Sequence, residues 1–287
     1  ERMGGGEKES FFEFLMTGLE ITPDAVGAAL TAYQEKPSKT TYQAFADACE
    51  PKRQELARRL NQVPGATAKL VSMRRDLLGL LSANPTLEPL DVDLRHLFAS
   101  WFNRGFLVLR RINWESPADI LEKIIAYEAV HAIDSWDDLR LRLKPKDRRC
   151  FGFFHPAMPH EPLIFVQVAL TKGIPNSIQD LLAEERSNIE ADEADTAVFY
   201  SISNCQAGLA NISFGNSLIK QVAADLAQDL PNISTFTTLS PIPSLNRWRK
   251  SVVLADLDQN PVQAVAAHYL LEAKRADGMP YDPVARF

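Results

Sequence analysis

The chain has 287 residues, of which 46% are hydrophobic and 24% charged, and its formal net charge is −6. This composition is typical of a globular protein and argues against collagen-like, coiled-coil and disordered chains. The acidic excess gives no support for a nucleic-acid partner, and no run of about 20 apolar residues predicts a membrane span. At this length we expect one large or two medium domains.

The first part of the chain has a helical pattern. Apolar residues recur at spacings of three and four after Ser10, in residues 40–60 and in residues 64–81, and prolines fall at the breaks between these stretches. We therefore predict a small antiparallel helix bundle over residues 1–95. Residues 84–93 contain two prolines and three acids and lose the helical period, so they predict a linker.

After residue 95 the pattern changes to strands alternating with helices, which predicts an α/β or α+β domain over residues 96–287. Short segments rich in apolar and β-branched residues predict strands, and apolar stripes that follow a capping residue predict helices. The predicted strands are residues 106–112, 163–170, 197–203 and 235–239, and the predicted helices are residues 116–133 and 217–230.

The three cysteines, Cys49, Cys150 and Cys205, are odd in number, widely spaced and without a CxxC motif. This pattern argues against a disulfide framework and against a thiolate zinc site. It favours a reducing compartment, so we expect the protein in the cytoplasm.

The segment between the strand at 197–203 and the helix at 217–230 carries the strongest chemical signal. It is rich in small and amide residues, which let the backbone approach a ligand closely, and it leads into a helix N-terminus. Such a segment can hold a phosphate or pyrophosphate. An ordinary strand-to-helix connection capped by Ser213 explains the same pattern.

Ser240 stands where the strand at 235–239 stops, and Pro241 and Pro243 follow it. The prolines fix the backbone, and open α/β sheets place their ligand sites at strand ends. Ser240 is therefore a candidate for chemistry, although a serine that closes a strand before a proline turn is the simpler interpretation.

Residues 151–162 include His155, His160 and Glu161, which could in principle ligate a metal ion. Three prolines in the same segment favour a rigid loop instead, so we predict no metal site. His268 lies in a helical stretch at residues 261–274 and is expected to be a packing or surface histidine.

Several ordered motifs carry a resemblance to a known family. They include Phe-Tyr-Ser-Ile-Ser at 199–203, Gln-Ala-Gly-Leu at 206–209, Leu-Ile-Lys at 218–220, Leu-Ser-Pro-Ile-Pro at 239–243, Glu-Ala-Val-His at 128–131 and Asp-Pro-Val-Ala at 282–285. Taken in chain order, they resemble the malonyl-CoA decarboxylase family over nearly all of residues 97–287.

The resemblance implies a helical oligomerisation domain at 1–95 and a catalytic domain with the acetyltransferase (GNAT) fold at 96–287. It implies Ser240 as the catalytic residue. Ser201, on the neighbouring predicted strand, is a second polar candidate. The family's catalytic histidine follows the segment that matches residues 282–287, so we expect it beyond Phe287 and expect this chain to be truncated. The implied CoA-binding residues are Ala210, Asn211, Ile212, Ser213, Phe214, Gly215 and Asn216.

The implied reaction is decarboxylation of malonyl-CoA to acetyl-CoA through an enolate that is stabilised by hydrogen-bond donors and protonated by the serine–histidine pair. We expect no metal or organic cofactor, because the thioester itself accepts the electron pair, and we expect a homodimer or homotetramer. Two alternatives stay open: an acyltransferase that uses the same CoA site, and a non-catalytic acyl-CoA sensor.

Overall fold

A computed structural model describes residues 3–213 and 217–241 of the chain. The chain divides into two compact units, residues 1–239 and 240–287. All described residues except 240 and 241 belong to the first unit. That unit contains a helical region followed by a mixed α/β sheet, which confirms the predicted fold class.

Among the described residues, six α-helices precede the first strand. They are α1 (Gly5–Gly18), α2 (Pro23–Glu35), α3 (Lys39–Cys49), α4 (Lys52–Asn61), α5 (Ala66–Leu80) and α6 (Glu88–Trp101). The helical prediction for this region is confirmed. The stretch predicted at 40–60 is two helices, because Pro51 interrupts it and a proline ring cannot continue a helix.

The predicted linker at 84–93 is wrong. Residues 85–87 form a short 3-10 turn, and α6 begins at Glu88. Pro89 lies in the first turn of α6, where its missing N–H group has no intrahelical partner to lose, and Leu90 and Leu94 are buried. The predicted domain boundary at 95/96 falls inside this helix, and the division of the chain there stays a prediction.

The elements of the sheet region follow α6. They are β1 (Val108–Ile112), α7 (Ala118–Tyr127), α8 (Trp136–Leu143), β2 (Arg148–His155), β3 (Met158–Thr171), α9 (Ile178–Leu182), β4 (Thr196–Asn204), α10 (Ser217–Asp229) and β5 (Thr235–Thr238). The strands lie in the order β1-β2-β3-β4-β5. Neighbouring strands are antiparallel except β4 and β5, which are parallel. The four predicted strands and the helix predicted at 217–230 are confirmed.

Two other predictions for this region are wrong. The helix predicted through residue 133 ends at Tyr127, and residues 151–162 are not a loop but the hairpin of β2 and β3. Prolines are tolerated there because the ladder is irregular: the register shifts on both sides of Phe154, which opposes Pro162.

The sheet is covered on both faces. Val166, Val168 and Phe199 pack on one face with Leu218, Val222 and Leu226 of α10. Ile112, Cys150 and Phe165 pack on the other face with residues of α7 and α8, namely Ile120, Leu121, Ile124, Leu139 and Leu143. In the middle of the β3–β4 ladder Ser201 opposes Gln167 and Phe199 opposes Val168, so Tyr200 forms a β-bulge.

Within the described ranges no helix is both long and apolar enough to cross a membrane. The three cysteines are free thiols; Cys49 is exposed, whereas Cys150 and Cys205 are buried. Burial raises the pKa of both buried thiols well above its ordinary value.

Candidate active site

The segment after β4, residues 205–216, forms the β4–α10 loop, and the structure describes it up to Ser213. Leu209 and Ile212 are buried in the hydrophobic core of the helical region, together with Leu70 and Val71 of α5. Gly208 approaches α5 so closely that an added Cβ would lie 1.9 Å from the carbonyl oxygen of Val71. The loop therefore rests on α5, and only glycine fits at position 208.

The loop backbone is turned by its own hydrogen bonds. The amides of Leu209, Ala210 and Ile212 donate to carbonyls three residues earlier. Asn211 has a φ of 61°, and within the described ranges it is the one non-glycine residue in the left-handed region. Asparagine tolerates this conformation better than most residues. Ala210, Asn211 and Ser213 are exposed, so this part of the loop faces solvent.

Arg74 of α5 binds the buried side of the loop. Its guanidinium is fully buried, and its Nη1 donates to the carbonyl of Gly208 at 2.7 Å and to the carbonyl of Ala210 at 3.0 Å. Its Nε forms an ion pair with Asp91 of α6 at 2.7 Å. At the start of the loop, Gln206 donates to the carbonyl of Pro162 in β3 at 3.1 Å. The loop is thus fixed both to the helices and to the sheet.

A second polar group, the Glu128 cluster, lies beside β3 and β4 and consists of Glu128, Gln167, Ser201 and Ser203. The Ser201 hydroxyl lies 2.8 Å from each carboxylate oxygen of Glu128, and Gln167 donates to Oε2 at 2.6 Å. The Ser203 hydroxyl is 3.3 Å from Oε1. Gln167, Ser201 and Ser203 are buried. The carboxylate is therefore surrounded by neutral donors.

Glu128 also explains why α7 ends early. Its Oε1 accepts from the backbone amides of Val130 and His131 at 2.8 and 3.0 Å. These bonds stabilise a turn in place of further helix, and the backbone of Glu128 is extended. Residues 128–131 stand out in the sequence as a motif, but the motif by itself gave Glu128 no role.

Tyr200 and His131 border the Glu128 cluster. The Tyr200 hydroxyl donates to Gln167 Oε1 at 2.7 Å, and burial raises the pKa of Tyr200 well above its ordinary value. The His131 ring lies 6.3 Å from the Tyr200 ring. Burial lowers the pKa of His131, although the nearby Glu128 carboxylate opposes the shift. Its buried Nε2 has no hydrogen-bond partner among the described residues.

The parallel pairing of β4 and β5 covers only part of β4. Residues 196–199 pair with residues 235–238, and the amide of Leu239 donates to the carbonyl of Phe199 at 2.9 Å. β4 continues to Asn204, and no described strand pairs with residues 200–204 on the side that β5 occupies. This open edge begins at the Tyr200 bulge and ends at the β4–α10 loop.

The predicted site residues fall in different places. Ala210, Asn211, Ile212 and Ser213 lie in the described part of the β4–α10 loop, whereas Phe214, Gly215 and Asn216 lie outside the described residues. Ser201 belongs to the Glu128 cluster. Ser240 directly follows Leu239 and is the first residue of the second unit. The assignments of Ser240 and of residues 210–216 stay predictions.

The histidines of the β2–β3 hairpin have other partners. His155 Nε2 lies 3.1 Å from the carbonyl of Trp101, and His160 Nδ1 lies 2.8 Å from Asp119. Within residues 3–213 and 217–241 no group of three or more histidine, cysteine or acidic side chains could hold a metal ion. His268 lies outside the described residues.

Two family models match the chain. The model of the malonyl-CoA decarboxylase N-terminal domain matches residues 20–102, and that of the malonyl-CoA decarboxylase C-terminal domain matches residues 105–260. Among curated proteins, the mitochondrial malonyl-CoA decarboxylases of Anser anser anser and Mus musculus are 42% and 37% identical over 205 and 209 residues. These alignments cover 69% of the chain but 40% and 41% of the relatives, so the chain spans about two fifths of their length.

Solved structures agree with these matches. The crystal structure of malonyl-CoA decarboxylase from Rhodopseudomonas palustris has 48% identity and a TM-score of 0.84, and the alignment covers 100% of this chain and 77% of that one. The enzyme from Agrobacterium vitis has 47% identity and a TM-score of 0.84 with the same coverage. The enzyme from Cupriavidus metallidurans has 33% identity and a TM-score of 0.60, with coverage of 99% and 84%.

Proposed function

Because the chain belongs to the malonyl-CoA decarboxylase family, we propose that it converts malonyl-CoA to acetyl-CoA and carbon dioxide. The proposal extends to this chain the activity that its relatives' names state. The observation that carries it is the edge of β4 at residues 200–204, which no described strand covers and which leads directly into a loop held by Arg74 and Gln206.

CoA has two parts that fit these two features. An unpaired strand edge offers backbone N–H and C=O groups to an extended chain that contains amides, and the pantetheine arm is such a chain. We place the diphosphate at residues 210–216, ahead of α10, because the N-terminus of a helix favours an anion. The thioester end then lies toward the middle of the sheet.

The chemistry requires an electron sink and a proton. When the bond between the carboxylate carbon and the α-carbon breaks, carbon dioxide leaves and the electron pair moves into an enolate of the thioester. Hydrogen-bond donors near the thioester oxygen lower the barrier, and a proton then adds to the α-carbon. The thioester is the electron sink, so the proposal needs no metal or organic cofactor.

We assign Ser240 to the malonyl carboxylate, where its hydroxyl orients the histidine that supplies the proton. Ser201 is the weaker candidate, because its hydroxyl lies 2.8 Å from both Glu128 oxygens and its proton is engaged there. Replacing Ser240 with alanine in the full-length protein should lower turnover by more than about tenfold. Ser234→Ala is the matched control, and equal turnover of the two variants would remove Ser240 from the mechanism.

One assay separates the decarboxylase from the alternatives. The full-length protein is incubated with malonyl-CoA alone, and acetyl-CoA is measured. A decarboxylase forms acetyl-CoA without any acceptor. An acyltransferase releases free CoA only when an amine acceptor is added, and a sensor is stabilised by malonyl-CoA against heat but forms no product.

Assembly and location complete the proposal. We propose that the helical region mediates a homodimer or homotetramer and that the protein works in the cytoplasm. Size measurement of the intact protein in solution tests whether it forms such an oligomer. The three free thiols fit a reducing compartment.

A further inference from the structure

We propose that Arg74, a residue of the helical region, is a positioning residue for CoA: it turns the peptide group between Ala210 and Asn211 so that the Asn211 amide faces the diphosphate. This inference rests on the proposed CoA site. It gives the helical region a part in ligand binding in addition to assembly.

The contacts of Arg74 all converge on one stretch of backbone. Its side chain is fully buried, and one nitrogen, Nη1, serves the carbonyls of Gly208 and Ala210 together. The ion pair with Asp91 fixes the other side of the guanidinium. Nη2 is buried and has no partner among the described residues. The two hydrogen bonds from Nη1 are therefore the contacts through which Arg74 orients the end of the loop.

Because the peptide group is planar, these hydrogen bonds also determine where the N–H group of the next residue points. In a planar trans peptide the C=O group and the N–H group of the next residue point in opposite directions. The Ala210 carbonyl points inward to Arg74, so the Asn211 N–H points away from the protein core. No described group accepts from this amide, whereas the amides of Leu209, Ala210 and Ile212 are all engaged in turns.

We attribute the effect of Arg74 on CoA binding to the orientation of the loop backbone and not to the charge of the side chain. Asp91 balances the charge of Arg74 at 2.7 Å, so the pair contributes little long-range attraction for an anion. A planar guanidinium can bind Asp91 and two carbonyls at once, whereas an ammonium cannot match that geometry. Arg74→Lys therefore keeps the positive charge but loses the hydrogen bonds to the loop carbonyls, so it separates an effect of orientation from an effect of charge.

The test measures binding to the full-length Arg74→Lys variant by calorimetry. CoA is compared with pantetheine, which lacks the diphosphate. We expect the Kd for CoA to rise about tenfold, the loss typical of hydrogen bonds made by a charged group. The Kd for pantetheine should change less than about twofold. The control is Arg75→Lys; Arg75 is exposed, and its one side-chain partner among the described residues is Asp76, so both affinities should stay unchanged.

Hydrogen exchange gives a second readout that needs no ligand. Amides of residues 206–213 should exchange faster in Arg74→Lys than in Arg75→Lys, while amides of β3 keep their protection. Equal CoA affinity in the two variants, equal losses for CoA and pantetheine, or unchanged loop exchange would each overturn the inference. Failure of the unaltered protein to form acetyl-CoA would instead overturn the proposed function, because these binding measurements do not depend on turnover.

Discussion

Arg74 and Glu128 are both charged side chains directed into the protein, but the groups around them differ. Arg74 is balanced by one carboxylate and bound to backbone carbonyls of a loop. Glu128 has no ion-pair partner among the described residues and is bound by side-chain donors and two backbone amides. The first arrangement fixes the shape of a backbone. The second gathers polar side chains from two strands around one charge.

Removing Glu128 should have the largest effect on stability. In Glu128→Ala the buried Ser201, Ser203 and Gln167 each lose an acceptor, and each unsatisfied buried polar group costs roughly 1–3 kcal/mol. We expect the free energy of unfolding to fall by about 3 kcal/mol, because the cavity admits water that recovers part of the loss. Urea titration measures this change in the free energy of unfolding.

The matched control is Glu122→Ala, on the exposed face of the same helix, which should change stability by less than about 0.5 kcal/mol. If the two variants unfold at the same urea concentration, the Glu128 cluster contributes nothing to stability. The contrast between the two charged groups would then be lost.

A smaller effect is expected at the contact between the loop and α5. The Cβ of Gly208→Ala would meet the carbonyl of Val71, so the loop or the helix must shift. Overpacking of this kind costs about 2 kcal/mol. Because the shift moves the Arg74 acceptors, CoA affinity should fall as well, measured by calorimetry on the same samples.

Gly79→Ala is the control for this substitution. Gly79 is exposed within α5, and an added Cβ has no neighbour within 4 Å. Alanine favours the helix by about 1 kcal/mol, so this variant should be more stable than the parent. A Gly208→Ala protein as stable as the parent would show that the loop does not rest on α5.

The smallest effect is a pH dependence. Burial holds the pKa of His131 below its ordinary value, which is about 6.5 in unfolded chains. Below that pH the unfolded state binds a proton that the folded state resists, so stability falls as pH falls. Above about 6.5 both states are neutral and the dependence ends.

His131→Gln should therefore lose less stability than the parent between pH 7.5 and about 5.5, measured by urea titration at each pH. His155, whose pKa is also lowered by burial, contributes in the same direction in both proteins. His160→Gln is the exposed control. If stability fell with pH in the same way in His131→Gln and in the parent, His131 would have no part in the dependence.

Local patterns were sufficient to predict most of the fold. The strands at 163–170 and 197–203 are mostly apolar, interrupted by Gln167, Ser201 and Ser203, and the helix at 217–230 has a clear apolar stripe, so each prediction rested on residues adjacent in sequence. The prediction of a linker at 84–93 was wrong because a proline usually interrupts a helix. Pro89 instead lies in the first turn of α6, where proline is tolerated. The prediction of a loop at 151–162 was wrong for a similar reason, because the prolines of the β2–β3 hairpin lie where the ladder is irregular.

The site was predicted only in part. The β4–α10 loop stands out because small residues lie between a strand and a helix. Arg74 gave no signal, because it contacts carbonyls 134 and 136 residues away in sequence. Glu128 gathers Gln167 and Ser201 from 39 and 73 residues away. No local period encodes such pairings.

The extra residue at Tyr200 also decides which way the rest of β4 faces. Before it, Ala197 and Phe199 turn toward α10; after it, Ile202 does so, and the two serines turn with Tyr200 toward the opposite surface. The bulge thus acts as a phase shift of one residue in an alternating strand. Without it, the serine hydroxyls would lie among aliphatic side chains and Ile202 would lie against a carboxylate.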